Sequence, residues 1–167
     1  MIITRTFDLL ARYEKLFLNK EDVLCAKQNG NWVKFSTKEY IKIAHQISYG
    51  LLALGFQKGD KIITLTNNRP EWNFVDMGMA MIGVVHVPVF TSLSSDEYEY
   101  ILEHSDSKMI FVSDKSLYLK INKAFHKTKK EILIYSFDAI DQVKKLNELL
   151  TLGKESEVYF KEEVNKI

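Results

Sequence analysis

Residues 59–94, GDKIITLTNNRPEWNFVDMGMAMIGVVHVPVFTSLS, constrain what this chain can fold into more than any other stretch. Residues 61–66 (KIITLT) are a β-branched run that ends in Asn67, Asn68 and Arg69, polar residues suited to a turn. Pro70 follows where a helix can open, because its fixed φ and missing N–H are tolerated in a first turn, and Glu71 places negative charge near the positive end of the helix dipole. Phe74, Val75, Gly78, Met81 and Ile82 share a face at spacings of three and four, and Gly83 can take the left-handed conformation that stops the helix. Residues 84–87 (VVHV) then form a second strand closed by Pro88. Two short apolar strands joined by a helix predict a parallel βαβ unit with a right-handed crossover.

The flanking chain extends the pattern. Residues 6–17 read as an amphipathic N-terminal helix with Phe7, Leu10 and Ala11 on its apolar side. Residues 23–26 and 32–35 flank Asn29-Gly30, a strong hairpin signal because both residues accept positive φ, and Trp32 reads as an ordinary buried packing residue. Ser36 and Glu39 have capping-box spacing ahead of a helix striped by Tyr40, Ala44, Ile47, Leu51 and Leu54 and stopped by Gly55. Ser94 and Glu97 repeat that spacing. Residues 109–112 (MIFV) predict a strand, 117–124 a helix and 132–135 (ILIY) another strand. Beyond Asp138 the pattern weakens to one short helix before Gly153 and a charged end without a core face. The alternation predicts a single α/β domain: a doubly wound, mostly parallel sheet with helices on both faces, plus an N-terminal β-hairpin.

Bulk properties exclude several classes. A chain of 167 residues supports one domain and is short for two. Charged residues at 27% and apolar ones at 46% are those of a globular protein, against a disordered or membrane-spanning chain. The net charge of +1 gives no electrostatic footprint for nucleic acid. A lone Cys25 and an N-terminus without an unbroken apolar core predict the cytoplasm.

The residues offer little chemistry. Gly50 with Gly55, and Gly78 with Gly83, have Walker-type spacing, but Phe56-Gln57 and Val84-Val85 stand where Lys and Ser or Thr are required, so packing and capping explain the glycines. No G-x-S-x-G elbow occurs, and Cys25 reads as a small buried hydrophobe in a hairpin strand. Asp96, Glu97, Glu99, Glu103 and His104 read as a solvated helix face rather than a metal set, and His45 as a helix-flank residue. His86, in a predicted inner strand, reads as a hydrogen-bonded histidine rather than a proton shuttle. Lys120, Lys123, Lys127, Lys129 and Lys130 read as a solvated surface. No catalytic residue and no metal ligand is assigned.

The wording of the centre goes further. GDKIITLTNNRPEW, then MIGVVHVPVFTSLS, then YILEHSDSKMIFVSD, resembles the opening portion of the AMP-forming acyl-CoA synthetases, particularly the long-chain fatty-acid–CoA ligases of the adenylate-forming superfamily. The resemblance implies a parent enzyme that activates a long-chain fatty acid with ATP and Mg²⁺ and passes the acyl group to CoA, working in the cytoplasm or peripherally at a membrane. It makes residues 1–167 the N-terminal subdomain, truncated before the family's phosphate loop, inactive alone and with no cofactor expected bound. It also implies that the corner after the second central strand lies near CoA: Phe90 fits the family's aromatic position, against pantetheine or adenine, and Thr91 and Ser92 could offer hydroxyls. The family's Tyr-Pro-Thr is here Phe90-Thr91-Ser92, which leaves the rigidity of the corner open, as does the alternative that Phe90 simply packs it. An exposed apolar patch, and homo-oligomers through it, are expected where a second subdomain would cover this one. Two other readings stay open: a free-standing α/β interaction or regulatory module without ligase activity, and a small flavodoxin-like nucleotide-binding domain.

Overall fold

The computed structural model describes residues 3–28, 30–128 and 130–165, without the side chain of Asn165. Helix α1 (Asp8–Phe17) precedes a hairpin of β1 (Leu24–Gln28) and β2 (Asn31–Phe35), followed by α2 (Thr37–Ala53). The central unit is β3 (Lys61–Leu65), α3 (Pro70–Met81) and β4 (Val85–Pro88). The chain continues through α4 (Ser95–Ser105), β5 (Met109–Val112), α5 (Lys115–Phe125), β6 (Leu133–Ser136), β7 (Lys144–Lys145) and α6 (Leu146–Asn165).

All neighbours in the five-stranded sheet are parallel, in the order β4-β3-β5-β6-β7, while β1 and β2 form a separate antiparallel pair. Alternate strand residues feed opposite faces. Ile62, Met109, Phe111 and Tyr135 pack with α2, α3 and α6, whereas Ile63, Leu65, Ile110 and Val112 pack with α4 and α5. The central strands are thus buried on both sides, which is why they read as unbroken apolar runs.

Local chemistry sets the helix ends. Ser36 Oγ accepts from the Glu39 N–H at 3.2 Å while Glu39 Oε2 accepts from the Ser36 N–H at 2.8 Å. Ser94 and Glu97 repeat the arrangement at 3.3 and 2.7 Å. Gly55 and Gly83, at φ 83° and 72°, close α2 and α3 in Schellman motifs: Phe56 N–H donates to Leu51 O and Gly55 N–H to Leu52 O, and Val84 N–H to Met79 O and Gly83 N–H to Ala80 O. Gly30 has φ 83°, as the hairpin turn requires, and its predicted companion Asn29 lies outside the described residues.

Four expectations are corrected. Gly153 does not end a short helix; α6 runs through it for 20 residues. Leu146, Leu149, Gly153, Ser156, Phe160 and Val164, at steps of three and four, give the charged C-terminal stretch an inner face, and the glycine lets α6 lie against the Gln46 and Gly50 backbone of α2. Trp32 is 66% exposed rather than buried, and Cys25 is exposed as well. Both stand on one face of the hairpin, in the cross-strand pairs Cys25–Lys34 and Lys27–Trp32, while Leu24 and Phe35 of the other face join the core. A two-stranded sheet outside the main one has one face to bury, and this is the other. Finally, β4 is an edge strand among the described residues, not an inner one.

At Gly153 two effects compete. An added methyl would raise helix propensity by up to about 1 kcal/mol. It would also stand 2.7 Å from the Gln46 carbonyl carbon and 3.0 Å from Gly50 N, both backbone atoms that cannot rotate away. Overpacking wins: Gly153→Ala should lower unfolding free energy by about 2 kcal/mol, read from the shift of a urea midpoint. The capping boxes give a pH dependence. The Ser36 hydroxyl and N–H hold the Glu39 carboxyl below its ordinary value of 4.5, and Ser94 does the same for Glu97. A depressed folded pKa means stability complete above pH 4.5 and lost as pH falls through the lower folded value. Glu39→Gln, which keeps an acceptor oxygen and removes the titration, should flatten the decline of the denaturation midpoint on this acid limb.

Candidate functional site

Parallel strands bring their C-terminal ends to one edge of the sheet, where the connections after β3, β4, β5 and β6 meet. Numbered within the sheet, the strand order is 2-1-3-4-5, whose switch point, the usual ligand crevice of such folds, lies between β3 and β5. Here a polar network fills that point. The Asn67 N–H donates to Ser113 Oγ at 3.2 Å and Asn67 Nδ2 to Asp114 Oδ2 at 2.9 Å, while Asp114 Oδ1 caps α5 through the Ser116 and Leu117 N–H groups. Arg69 lies across the same edge. Its Nε and Nη2 donate to both Glu71 carboxylate oxygens at 3.0 and 2.7 Å, and its Nη1 to Asp138 Oδ1 at 2.9 Å and Ser113 O at 3.3 Å. Glu71 first, and Asp138 with it, raise the guanidinium further above its already high ordinary pKa. This arginine is held too fully to be a free anion ligand.

Two depressions flank the network. On the hairpin side a groove of about 710 Å³ runs between Cys25, Lys27 and Trp32 and the start of α3 at Arg69, Pro70 and Asn73. On the β4 side a cleft of about 610 Å³ is lined by Thr66, Asn67, Asn68, Trp72, Phe90 and Thr91, with Pro88 and Val89. The second contains the corner that the sequence singles out. Phe90 is 80% exposed, so it lines the cleft rather than packing the corner. Thr91 lines the cleft too, while Ser92 is exposed and lies outside the lining. The corner's backbone is held from below: Val89 N–H donates to Thr64 O at 2.9 Å, Tyr98 Oη to Phe90 O at 3.0 Å, and Lys120 Nζ to Thr91 O at 3.1 Å. Thr66 Oγ1 is buried and has no hydrogen-bond partner among the described residues.

Trp72, which the motif reading quotes without giving it a role, forms one wall of the cleft. The signal available in sequence was its place two residues after Pro70, in the first turn of a helix that starts at this edge. Behind it, the half-buried His86 ring lies 5.0 Å from the indole. With Nδ1–H donating to Asp76 Oδ1 at 2.7 Å, Nε2 accepts from the Thr64 hydroxyl, also at 2.7 Å. Both ring nitrogens are engaged, as expected of a hydrogen-bonded histidine.

The remaining candidates disperse. Asp96 and Glu99 bind Lys127 Nζ at 2.9 and 2.8 Å, Glu97 caps its helix, and His104 stacks on Tyr100. Among the described residues no three His, Cys, Asp or Glu side chains gather as a metal ion requires. His45 bonds the Ile41 carbonyl one turn earlier. The lysine patch is less free than the sequence suggests. Lys127 holds those two acids, Lys130 Nζ donates to Leu102 O and Glu103 O, and Lys120 reaches the corner; Lys129 lies outside the described residues.

The comparisons with known proteins agree with one another. A family model described as "AMP-binding enzyme" matches residues 15–164. Fatty acyl-CoA synthetase A of Dictyostelium discoideum is 30% identical over 101 residues, covering 60% of this chain and 15% of that protein. The long-chain-fatty-acid–CoA ligase ACSBG1 of Rattus norvegicus is 27% identical over 134 residues, covering 77% of this chain and 19% of that protein. The chain therefore spans less than a fifth of the length of these relatives. Among solved structures, the anthranilate CoA ligase AuaEII in complex with anthranoyl-AMP superposes with a TM-score of 0.77 at 20% identity, over 90% of this chain and 28% of that one, a likeness of fold. With the family model covering most of its length and a CoA ligase sharing its fold, this chain belongs to the AMP-binding enzyme family.

Proposed function

We propose that the chain is the N-terminal subdomain of a long-chain fatty-acid–CoA ligase. The complete enzyme joins a fatty carboxylate to the α-phosphorus of ATP, releasing pyrophosphate, and then transfers the acyl group from AMP to the thiol of CoA. The observation that carries this reading is the family match over residues 15–164 together with relatives named as long-chain ligases. This chain's part is a scaffold and one wall of the CoA site. Phe90 faces the adenine or pantetheine of CoA, Thr91 and Ser92 offer hydroxyls, and the cleft of about 610 Å³ gives the cofactor-sized recess that the role needs. Mg²⁺ finds no donor set of three among the described residues, so no step is assigned to it here.

The reading accounts for large apolar side chains left in solvent, among them Trp32, Val158 and Tyr159, which the remainder of a ligase would cover. It places the enzyme in the cytoplasm or at a membrane surface; among the described residues no helix is long and apolar enough to cross a membrane. A free-standing interaction module is the competing reading, and the reading frame separates the two: continuation beyond Ile167 into a Ser/Thr/Gly-rich phosphate loop fits the ligase.

In the complete enzyme, Phe90→Ala should raise KM for CoA about threefold to tenfold, the worth of one aromatic contact, and leave KM for ATP unchanged. An unchanged KM for CoA would remove the corner from the site. The isolated chain should form no palmitoyl thioester from palmitate, ATP and CoA, and should sediment as larger species with rising concentration. Thioester formation by it alone would end the scaffold reading.

A further inference from the structure

The exposed corner after β4 raises a mechanical problem. Phe90 is 80% exposed, so burial of its own ring does not fix its direction. The last bond of the strand ladder is Val89 N–H to Thr64 O, and among the described residues no backbone–backbone hydrogen bond holds residues 90–92. A loop so placed is ordinarily mobile. Yet its two successive carbonyls are each taken by a side chain from a different helix, Phe90 O by Tyr98 of α4 and Thr91 O by Lys120 of α5.

The two donors differ in kind. The Tyr98 ring is 1% exposed, wedged in the core with Ile63, Leu65 and Leu102, so its hydroxyl is a fixed point and not a swinging group. Burial raises the phenol above its ordinary pKa and keeps it a donor. Lys120 arrives on a flexible stem from the solvent side and adds charge to its bond. The core thereby reaches through α4 to fix the direction of an exposed aromatic.

We propose that Tyr98 and Lys120 are positioning residues that clamp the corner so that Phe90 stands preorganised against the cleft for CoA. The proposal rests on the reading of this corner as CoA-facing. A clamped corner binds without first being ordered, so releasing the clamp weakens binding with no contact residue changed.

The test uses the 167-residue chain labelled with ¹⁵N, in wild-type, Tyr98→Phe and Lys120→Met forms. Backbone order parameters of residues 89–93 are read from these samples, and KM for CoA from the complete enzyme carrying the same substitutions. The wild-type corner should be rigid, near about 0.85, and fall below about 0.6 in Tyr98→Phe, with a smaller drop in Lys120→Met. Amides of β5 should stay unchanged in both. KM for CoA of the complete enzyme should rise about fivefold in Tyr98→Phe, the equivalent of one hydrogen bond. Unchanged corner order in both variants overturns the clamp, whatever CoA does. A loosened corner with KM for CoA unaltered overturns the positioning role, and with KM unaltered in Phe90→Ala as well it overturns the CoA-facing reading, while the clamp itself stands. Lys120 is exposed, so its variant keeps the test decisive should Tyr98→Phe fail to fold.

Discussion

Parallel pairing of β3 with β4 and with β5 is the constraint on which the rest of this molecule depends. Such a sheet must be buried on both faces, because each crossover returns a helix to one face or the other. It also gathers every strand's C-terminal end at one edge. The Asn67 turn, the Phe90 corner, Ser113-Asp114 and Phe137-Asp138 come from four separate connections, yet they lie within hydrogen-bonding or lining reach of one another. The chemistry-bearing residues are neighbours because of strand direction, not because of proximity in sequence.

Burial on both faces requires helices to lie close over the sheet, and α2 shows how closely. Its Gly50 faces the Leu149 carbonyl of α6, a methyl on Gly78 of α3 would strike Ile47, and Ser48 Oγ donates to Gly78 O at 2.9 Å. Small residues let backbones approach, and the serine satisfies a carbonyl with a hydroxyl of the adjacent helix. The glycines whose spacing mimics a phosphate loop serve this packing and the ends of α2 and α3.

The polar network at the switch point has a consequence for where ligands fit. By filling the crevice between β3 and β5, Arg69 with its carboxylate partners leaves room on either side, one groove under the hairpin and one cleft under the corner. Both are walled by aromatics. Trp32 stands on the solvent side of the first, Trp72 and Phe90 flank the second, and His86 with Asp76 and Thr64 backs the Trp72 wall.

Period and punctuation in the sequence determined the elements, since they depend on local physics. Ser36 and Ser94 cap their helices through residues three positions on, Gly55 and Gly83 stop theirs through φ, and the strands are short apolar runs. The family likeness was legible in the same stretch. What the tertiary structure alone decided concerns contacts between residues far apart in the chain. The sequence suggests a stop at Gly153, because a glycine made for close approach to Gln46 looks the same as one made for positive φ. Trp32 and Cys25 read as buried, because β-propensity says nothing of which hairpin face finds a partner. Lys120 reads as a solvated lysine; its donation to the corner and that of Tyr98, from 29 and 8 residues away, exist only once α4 and α5 are folded under it.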